Sequence, residues 1–222
     1  MKTASALSRR HQEDLLSAIK TICRIFWGPD PDDCAAMKAG SFFLPFENLK
    51  PAMTGEFADP LQKIKAFPED FGDADLLCRQ LAETFVRLFI NAKGGIQAPL
   101  YQSCYEYENA PLMGASAVKM KNRFESSGLT LAETITEPPD HLCIEMEYLY
   151  FLLDKSGSRP KGSVLYEAGS FAAGTMLPWV SVFAGRLQQE TACRFYPLAS
   201  RLLVLILDWV AGFGSGKLWE RN

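Results

Sequence analysis

The chain has 222 residues and a formal net charge of −3, from 26 acidic and 23 basic side chains. With 48% hydrophobic residues and no basic stripe, the composition excludes a disordered chain and argues against a nucleic-acid-binding protein. Leu (27) and Ala (24) far outnumber Val (7) and Ile (9), and because β-branched residues favour strands, this balance predicts an all-α protein.

The N-terminal half of the chain predicts two long helices separated by shorter ones. Apolar residues recur at helical spacing from Leu15 to Phe26, and Gly28-Pro29-Asp30-Pro31 ends that helix. Prolines interrupt the pattern over 32–73, where we expect short helices and loops. A second long helix is predicted from about Asp73 to Ile90.

The middle of the chain contains the least regular segment. A long loop is predicted from Gly94 to Gly114, and a helix over 113–126 follows it. Loops of this length are uncommon inside compact domains and are often functional.

The sharpest break in the sequence is Thr136-Glu137-Pro138-Pro139-Asp140-His141, because two prolines disfavour helix before them. A Leu-rich helix is predicted from Leu142 to Leu153, and a Ser/Gly/Pro/Lys linker at 155–162. Three further helices are predicted, the last beginning near Phe195, and we expect this last helix to dock on the helix that follows the hinge.

No catalytic or metal-binding motif is recognised in the sequence. The six cysteines lie at least eleven residues apart, and His11 and His141 are the two histidines, so a metal site is not predicted. Gly94-Gly95 follows a helix rather than a strand, which excludes a phosphate-binding loop. Asp140 cannot easily orient His141 as a base, since neighbouring residues do not face each other on a helix. The sequence therefore argues against an enzyme.

Two pairs of carboxylates are interpreted as solvent-exposed faces of a helix or loop. They are Glu145 with Glu147, and Glu106 with Glu108. No nucleophile and base accompany either pair at a useful spacing, and we expect Glu106→Ala to change little.

The targeting signals predict a cytoplasmic protein. Ser8-Arg9-Arg10-His11 is superficially similar to an export signal, but Gln12-Glu13-Asp14 follows where an apolar segment is required. The apolar stretch over 202–214 is interrupted by Asp208 and is too short to span a bilayer, which predicts a buried core helix.

Glu137-Pro138-Pro139-Asp140-His141 resembles the signature of the TorD/DmsD/NarJ family of redox-enzyme maturation chaperones, in which this motif opens a Leu-rich helix. The resemblance covers about residues 75 to 210. Further matching segments occur in the same order: Phe85–Phe89, Gly94-Gly95, Ala98–Tyr105, Leu112–Gly114, Leu177-Pro178-Trp179, and Phe195-Tyr196 with Leu198-Ala199.

The resemblance implies an all-α, TorD-like helical bundle in two lobes, residues 1–136 and 137–222, joined by a proline-rich hinge, with one compact domain as the alternative. It implies a cytoplasmic chaperone without a cofactor that binds the twin-arginine leader peptide and apoprotein of a molybdopterin-dependent oxidoreductase before export. The expected state is a monomer, with a lobe-swapped dimer as a minor form. A NarJ-type assembly factor for a subunit that is not exported, and a nucleotide-dependent enzyme on the same scaffold, remain alternatives.

The resemblance also implies where the leader peptide binds. An arginine pair needs carboxylates, and a short apolar helix needs a groove. We expect Asp140 and His141 to project from the junction of the lobes, and Asp140 to receive a guanidinium group. The implied leader-binding residues are Glu137, Pro138, Asp140 and His141 of the hinge, with Pro99, Tyr101, Ser103 and Tyr105 of the loop.

Overall fold

A computed structural model describes residues 8–154 and 161–215 of the chain. Within these residues the only β-structure is one isolated antiparallel bridge, and the all-α prediction is confirmed. The α-helices are α1 (Arg9–Trp27), α2 (Pro31–Lys38), α3 (Leu44–Leu49), α4 (Ala58–Ala66), α5 (Ala74–Phe85), α6 (Ala115–Ser126), α7 (Leu142–Asp154), α8 (Lys161–Phe171), α9 (Leu177–Leu187) and α10 (Phe195–Ser215). Residues 155–160 of the predicted linker lie outside the described part.

Shorter helical turns fill several of the connections. Two π-helical turns continue α5 (Val86–Ile90) and join α8 to α9 (Ala172–Met176). The 3-10 turns are Lys50–Ala52, Gly55–Phe57, Phe67–Asp70 and Gln102–Tyr105. The predicted long loop between α5 and α6 is thus irregular except for one 3-10 turn, as the sequence indicates.

The first helix ends at the predicted position and begins at Arg9, six residues before the first apolar residue of the predicted pattern. The Ser8 hydroxyl oxygen accepts a hydrogen bond from the His11 backbone N–H at 3.1 Å and caps the helix. Gly28 ends the helix with a φ of +115°, a conformation that other residues rarely adopt. One face of α1 is buried, and it includes Leu15, Ile19, Ile22 and Phe26.

A single hydrophobic core includes residues from both sides of the hinge. The helix α1 packs against α3 and α7, and α2 packs against α5. The last helix, α10, packs mainly against α8, α9 and α4, so the prediction that it docks on α7 is wrong. The reason is that α1 and α8 cover α7 instead. The division into lobes at residue 137 stays a prediction.

The helix α10 is long and apolar enough, by length and composition, to cross a membrane over Phe195–Gly214, so the expectation that this stretch is too short is wrong; 56% of the window is buried inside the protein. Its contacts with three other helices account for this burial. Leu202, Ile206 and Val210 have no exposed surface, which agrees with the predicted core helix.

The helices α8 and α10 touch through their backbones at Gly169 and Gly214. A Cβ atom at Gly169 would lie 2.8 Å from the Gly214 Cα atom and 3.0 Å from the Phe213 carbonyl carbon. Because backbone atoms cannot move aside as side chains do, we expect Gly169→Ala to lower the free energy of unfolding by about 1–3 kcal/mol in a denaturant titration.

A matched control for this prediction is Gly185→Ala, because Gly185 lies in α9 and a Cβ atom there meets nothing within 4 Å. Ala is the better helix former, so this variant should gain about 0.5–1 kcal/mol. Equal changes in the two variants would contradict the backbone contact between α8 and α10.

Candidate functional site

The long loop and the hinge meet as two short antiparallel segments. Tyr101 and His141 form the isolated bridge. On one side the Gln102 N–H donates to the Asp140 carbonyl at 3.0 Å, and on the other the Leu142 N–H donates to the Leu100 carbonyl at 2.7 Å. The structure therefore brings together the loop and hinge segments that the sequence assigned to one site.

Asp140 connects the two segments through its side chain. Its Oδ2 atom accepts a hydrogen bond of 2.8 Å from the Ser103 N–H, and both residues have no exposed surface. The expectation that Asp140 projects from the junction is therefore wrong. The prolines before Asp140 restrict the backbone, but the loop that covers this side chain is remote in sequence.

His141 is also buried, with 4% of its surface exposed, so the expectation that it projects from the junction is wrong as well. Its ring stacks on Trp27, with centroids 4.7 Å apart, and meets Tyr101 edge-on at 5.2 Å. The Nδ1 atom accepts a hydrogen bond from the Cys143 backbone N–H at 3.2 Å. Burial lowers the pKa of His141 to about 4, against the opposing charge of Glu137, so the ring is neutral near pH 7.

Glu137 and Pro138 lie at the partly exposed edge of this junction. The Tyr101 hydroxyl donates a hydrogen bond of 2.6 Å to Glu137 Oε2. Burial, together with this bond to a carboxylate, raises the pKa of the Tyr101 phenol, which keeps its proton. Glu137 is therefore a half-buried carboxylate held beside an aromatic ring.

Tyr105 faces away from the hinge, towards α9. Its hydroxyl donates to the Pro99 carbonyl at 2.8 Å, and its ring lies 5.3 Å from that of Trp179. The guanidinium carbon of Arg186 lies 4.5 Å from the centre of the Tyr105 ring. Pro99 and Tyr105 thus fix the loop against α9, while Tyr101 reaches the hinge.

Two residues that the sequence analysis did not assign to the site complete this junction. Trp27, the last residue of α1, is 39% exposed, and its indole N–H donates to Glu147 Oε1 at 3.4 Å. Glu147 is exposed, as predicted. The sequence feature that marks Trp27 is its position directly before Gly28, the glycine that ends α1. This position does not by itself indicate a contact with α7.

Glu145 contradicts the interpretation that it is solvated, because it has no exposed surface. Its Oε2 atom accepts a hydrogen bond of 3.0 Å from the Trp179 indole. The pKa of Glu145 is raised well above its usual range, first by burial and then by the charge of Asp140; the Trp179 bond and the charge of Arg123 oppose the rise. Burial therefore favours the protonated, neutral form of this carboxyl group.

The buried polar cluster at this junction is incompletely hydrogen-bonded. Ser103 Oγ, Asp140 Oδ1 and Glu145 Oε1 are buried and have no hydrogen-bond partner in the described part of the chain. A neutral Glu145 and the Ser103 hydroxyl are the donors that could satisfy such oxygens.

Hydrogen bonding and burial limit the reactivity of the histidine and cysteine side chains around this junction. His141 uses Nδ1 to accept a backbone N–H, so no carboxylate orients it as a base. In residues 8–154 and 161–215, no three His, Cys, Asp or Glu side chains converge to hold a metal ion. Burial raises the pKa values of Cys23 and Cys143, which keeps these thiols protonated and unreactive.

Comparison with known proteins identifies the family. A family model described as the nitrate reductase delta subunit matches residues 50–185. The chain belongs to this family. It is 28% identical to the chaperone protein TorD of Vibrio parahaemolyticus over 162 residues, which is 71% of each chain, and 30% identical to TorD of Vibrio vulnificus over 161 residues, which is 70% of each.

A solved structure supports the same fold for this delta-subunit-family protein. The crystal structure of a protein from Archaeoglobus fulgidus, assigned to redox enzyme maturation, aligns with a TM-score of 0.53 and 19% identity. The alignment covers 94% of this chain and 99% of that one. The TorD-like helical fold predicted from the hinge motif is confirmed.

Membership of the nitrate reductase delta subunit family also decides the class of function. The protein is a maturation chaperone for molybdoenzymes and is not an enzyme. This confirms the family and the chaperone function that the motif at 137–141 implied. The roles of the eight predicted leader-binding residues stay predictions.

Proposed function

We propose that this chaperone binds the twin-arginine leader peptide of a molybdopterin-dependent oxidoreductase at the junction of the loop and the hinge. The observation that carries the proposal is the partly exposed Glu137 carboxylate, held by Tyr101 beside a row of aromatic rings. A carboxylate next to aromatic faces suits a guanidinium group, which is planar and forms bidentate hydrogen bonds.

The predicted site residues divide into two groups under this proposal. Glu137, Pro138 and Tyr101 lie at the accessible edge and contact the leader. Asp140, Ser103 and His141 are buried and act by holding that edge in place. Pro99 and Tyr105 anchor the loop to α9.

A bound leader cannot engage the export machinery, so the apoprotein stays in the cytoplasm while its cofactor is inserted. We place the chaperone there as a monomer, with a lobe-swapped dimer as a minor form. One observation supports the NarJ-type alternative: the matching family model is described as the nitrate reductase delta subunit. This alternative predicts binding to an N-terminal segment that is never exported.

Calorimetric titration tests the proposal. Twin-arginine leaders of the molybdopterin oxidoreductases in the same genome, and the N-terminal segments of their non-exported relatives, are synthesised and titrated into the full chain. We expect one leader to bind and Glu137→Gln to weaken it about tenfold, because a charge-assisted hydrogen bond is lost.

Two other results would contradict the proposal. If no leader binds, leader recognition is wrong. If only a non-exported segment binds, the NarJ-type alternative is correct.

A further inference from the structure

Three aromatic rings at the junction form a continuous row with a carboxylate at each end. We call Trp27, His141 and Tyr101 the aromatic row. Successive ring centroids are 4.7 Å and 5.2 Å apart. Glu147 accepts the Trp27 indole N–H at one end, and Glu137 accepts the Tyr101 hydroxyl at the other. Three separate elements supply these residues: α1, the loop, and the hinge with α7.

The two terminal carboxylates differ from several other described carboxylates in forming no ion pair with another described residue. Elsewhere in the described residues, the carboxylates of Asp33, Glu190 and Asp70 pair with arginines. Neither Glu137 nor Glu147 forms an ion pair within the part of the chain that the structure describes. The row between them is neutral, because His141 carries no charge near pH 7. The junction therefore presents two carboxylates that form no ion pair with the described residues.

We infer that Trp27 and Glu147, together with Glu137, form a receptor for two neighbouring guanidinium groups. The inference rests on the proposed function and adds the reason why an arginine pair is selected. One carboxylate pairs bidentately with one guanidinium group, so two neighbouring arginines need two separate carboxylates. Glu137 receives one arginine and Glu147 receives the other.

The aromatic row supplies discrimination against lysine. A guanidinium group can stack on an indole or phenol face while its N–H groups bind a carboxylate, whereas an ammonium group lacks this planar geometry. Trp27, which is 39% exposed, offers the most accessible ring of the row. Its place at the end of α1 brings a residue far from the hinge motif into the receptor.

A double-mutant cycle between chaperone and peptide tests the inference. The variants are Glu147→Gln and Trp27→Leu, and the matched control is Glu83→Gln, an exposed carboxylate on α5. The peptides are the leader that binds in the titration above, two versions with one arginine replaced by glutamine, and one with both replaced by lysine. Thermal melts establish that each variant is folded.

We expect Glu147→Gln to weaken binding of the arginine-pair leader about tenfold. The same variant should not weaken binding of the glutamine peptide that lacks the arginine contacting Glu147, because that contact is already lost. Trp27→Leu should reduce the preference for arginine over lysine, and Glu83→Gln should change nothing. If Glu147→Gln weakens all four peptides equally, or none, the receptor is wrong although leader binding stands. If no leader binds the wild type, both the receptor and the proposed function fail.

Discussion

Replacing Glu145 with Gln is expected to stabilise the protein at neutral pH and to remove a decline in stability towards alkaline pH. Burial raises the pKa of Glu145 well above its usual range, so the folded protein holds a proton that the unfolded chain, with a pKa of about 4.3, releases. Stability is therefore greatest below that value and falls as pH rises, by about 1.4 kcal/mol per pH unit, until the folded pKa is reached. Gln is neutral at every pH and keeps an oxygen for the Trp179 indole.

His141 imposes the opposite dependence. Its pKa is about 4 in the folded protein, against about 6.5 in the unfolded chain, so its contribution to stability is present above about 6.5 and lost as pH falls towards 4. Between about 4.3 and 6.5 the slopes from His141 and Glu145 oppose each other. From these two groups we expect a flat profile there and a decline above it.

Urea unfolding at a series of pH values separates the two groups. Glu145→Gln should leave a rise in stability up to about pH 6.5 and a flat profile above it. His141→Asn, which keeps an acceptor for the Cys143 N–H, should show a decline from about pH 4.3. If the unfolding free energy of Glu145→Gln has the same slope above pH 6.5 as that of the wild type, Glu145 is ionised in the folded protein.

Glu145 and Glu147 lie two residues apart in α7, but the sequence predicts the exposure of Glu147 correctly and that of Glu145 wrongly. The period of the apolar residues predicts α7, and because glutamate is seldom buried without a partner, both glutamates are predicted to be solvated. Glu145 is buried because the Trp179 indole, supplied by α9, meets its carboxylate. A contact between residues 34 positions apart leaves no mark in the periodicity of either helix.

The hinge motif predicts the family and the pairing of loop with hinge, but not which side chains are accessible. Two prolines before Asp140 restrict its backbone, which is a local property. Its burial depends on the Ser103 N–H from the loop. Sequence periodicity does not assign Trp27 to the site either. Trp27 is the last residue of α1, and its contacts with His141 and Glu147 lie beyond the apolar pattern of that helix.

Asp140→Ala is expected to lower the free energy of unfolding by about 1.5–3 kcal/mol, because it leaves the buried Ser103 N–H without an acceptor. The loop then loses its side-chain connection to the hinge, and Tyr101 is no longer held firmly beside Glu137. Leader affinity should fall as a consequence, since the accessible edge depends on that connection. Urea unfolding and calorimetric titration with the leader measure the two effects.

Asp140→Asn decides whether Asp140 positions the site or contacts the leader. Asn keeps an oxygen for the Ser103 N–H but removes the charge, so a positioning residue should retain most of its stability and leader affinity. A guanidinium receptor, as first predicted from the sequence, should lose affinity about 10- to 100-fold while its stability is unchanged. Glu108→Ala is the surface control in place of Glu106→Ala. The sequence predicts that Glu106→Ala changes little, but Glu106 accepts hydrogen bonds from Ser116 at the start of α6, so its replacement would disturb that helix. Wild-type stability in Asp140→Ala, combined with lost affinity in Asp140→Asn, would establish direct contact and show that the buried conformation opens to admit the leader.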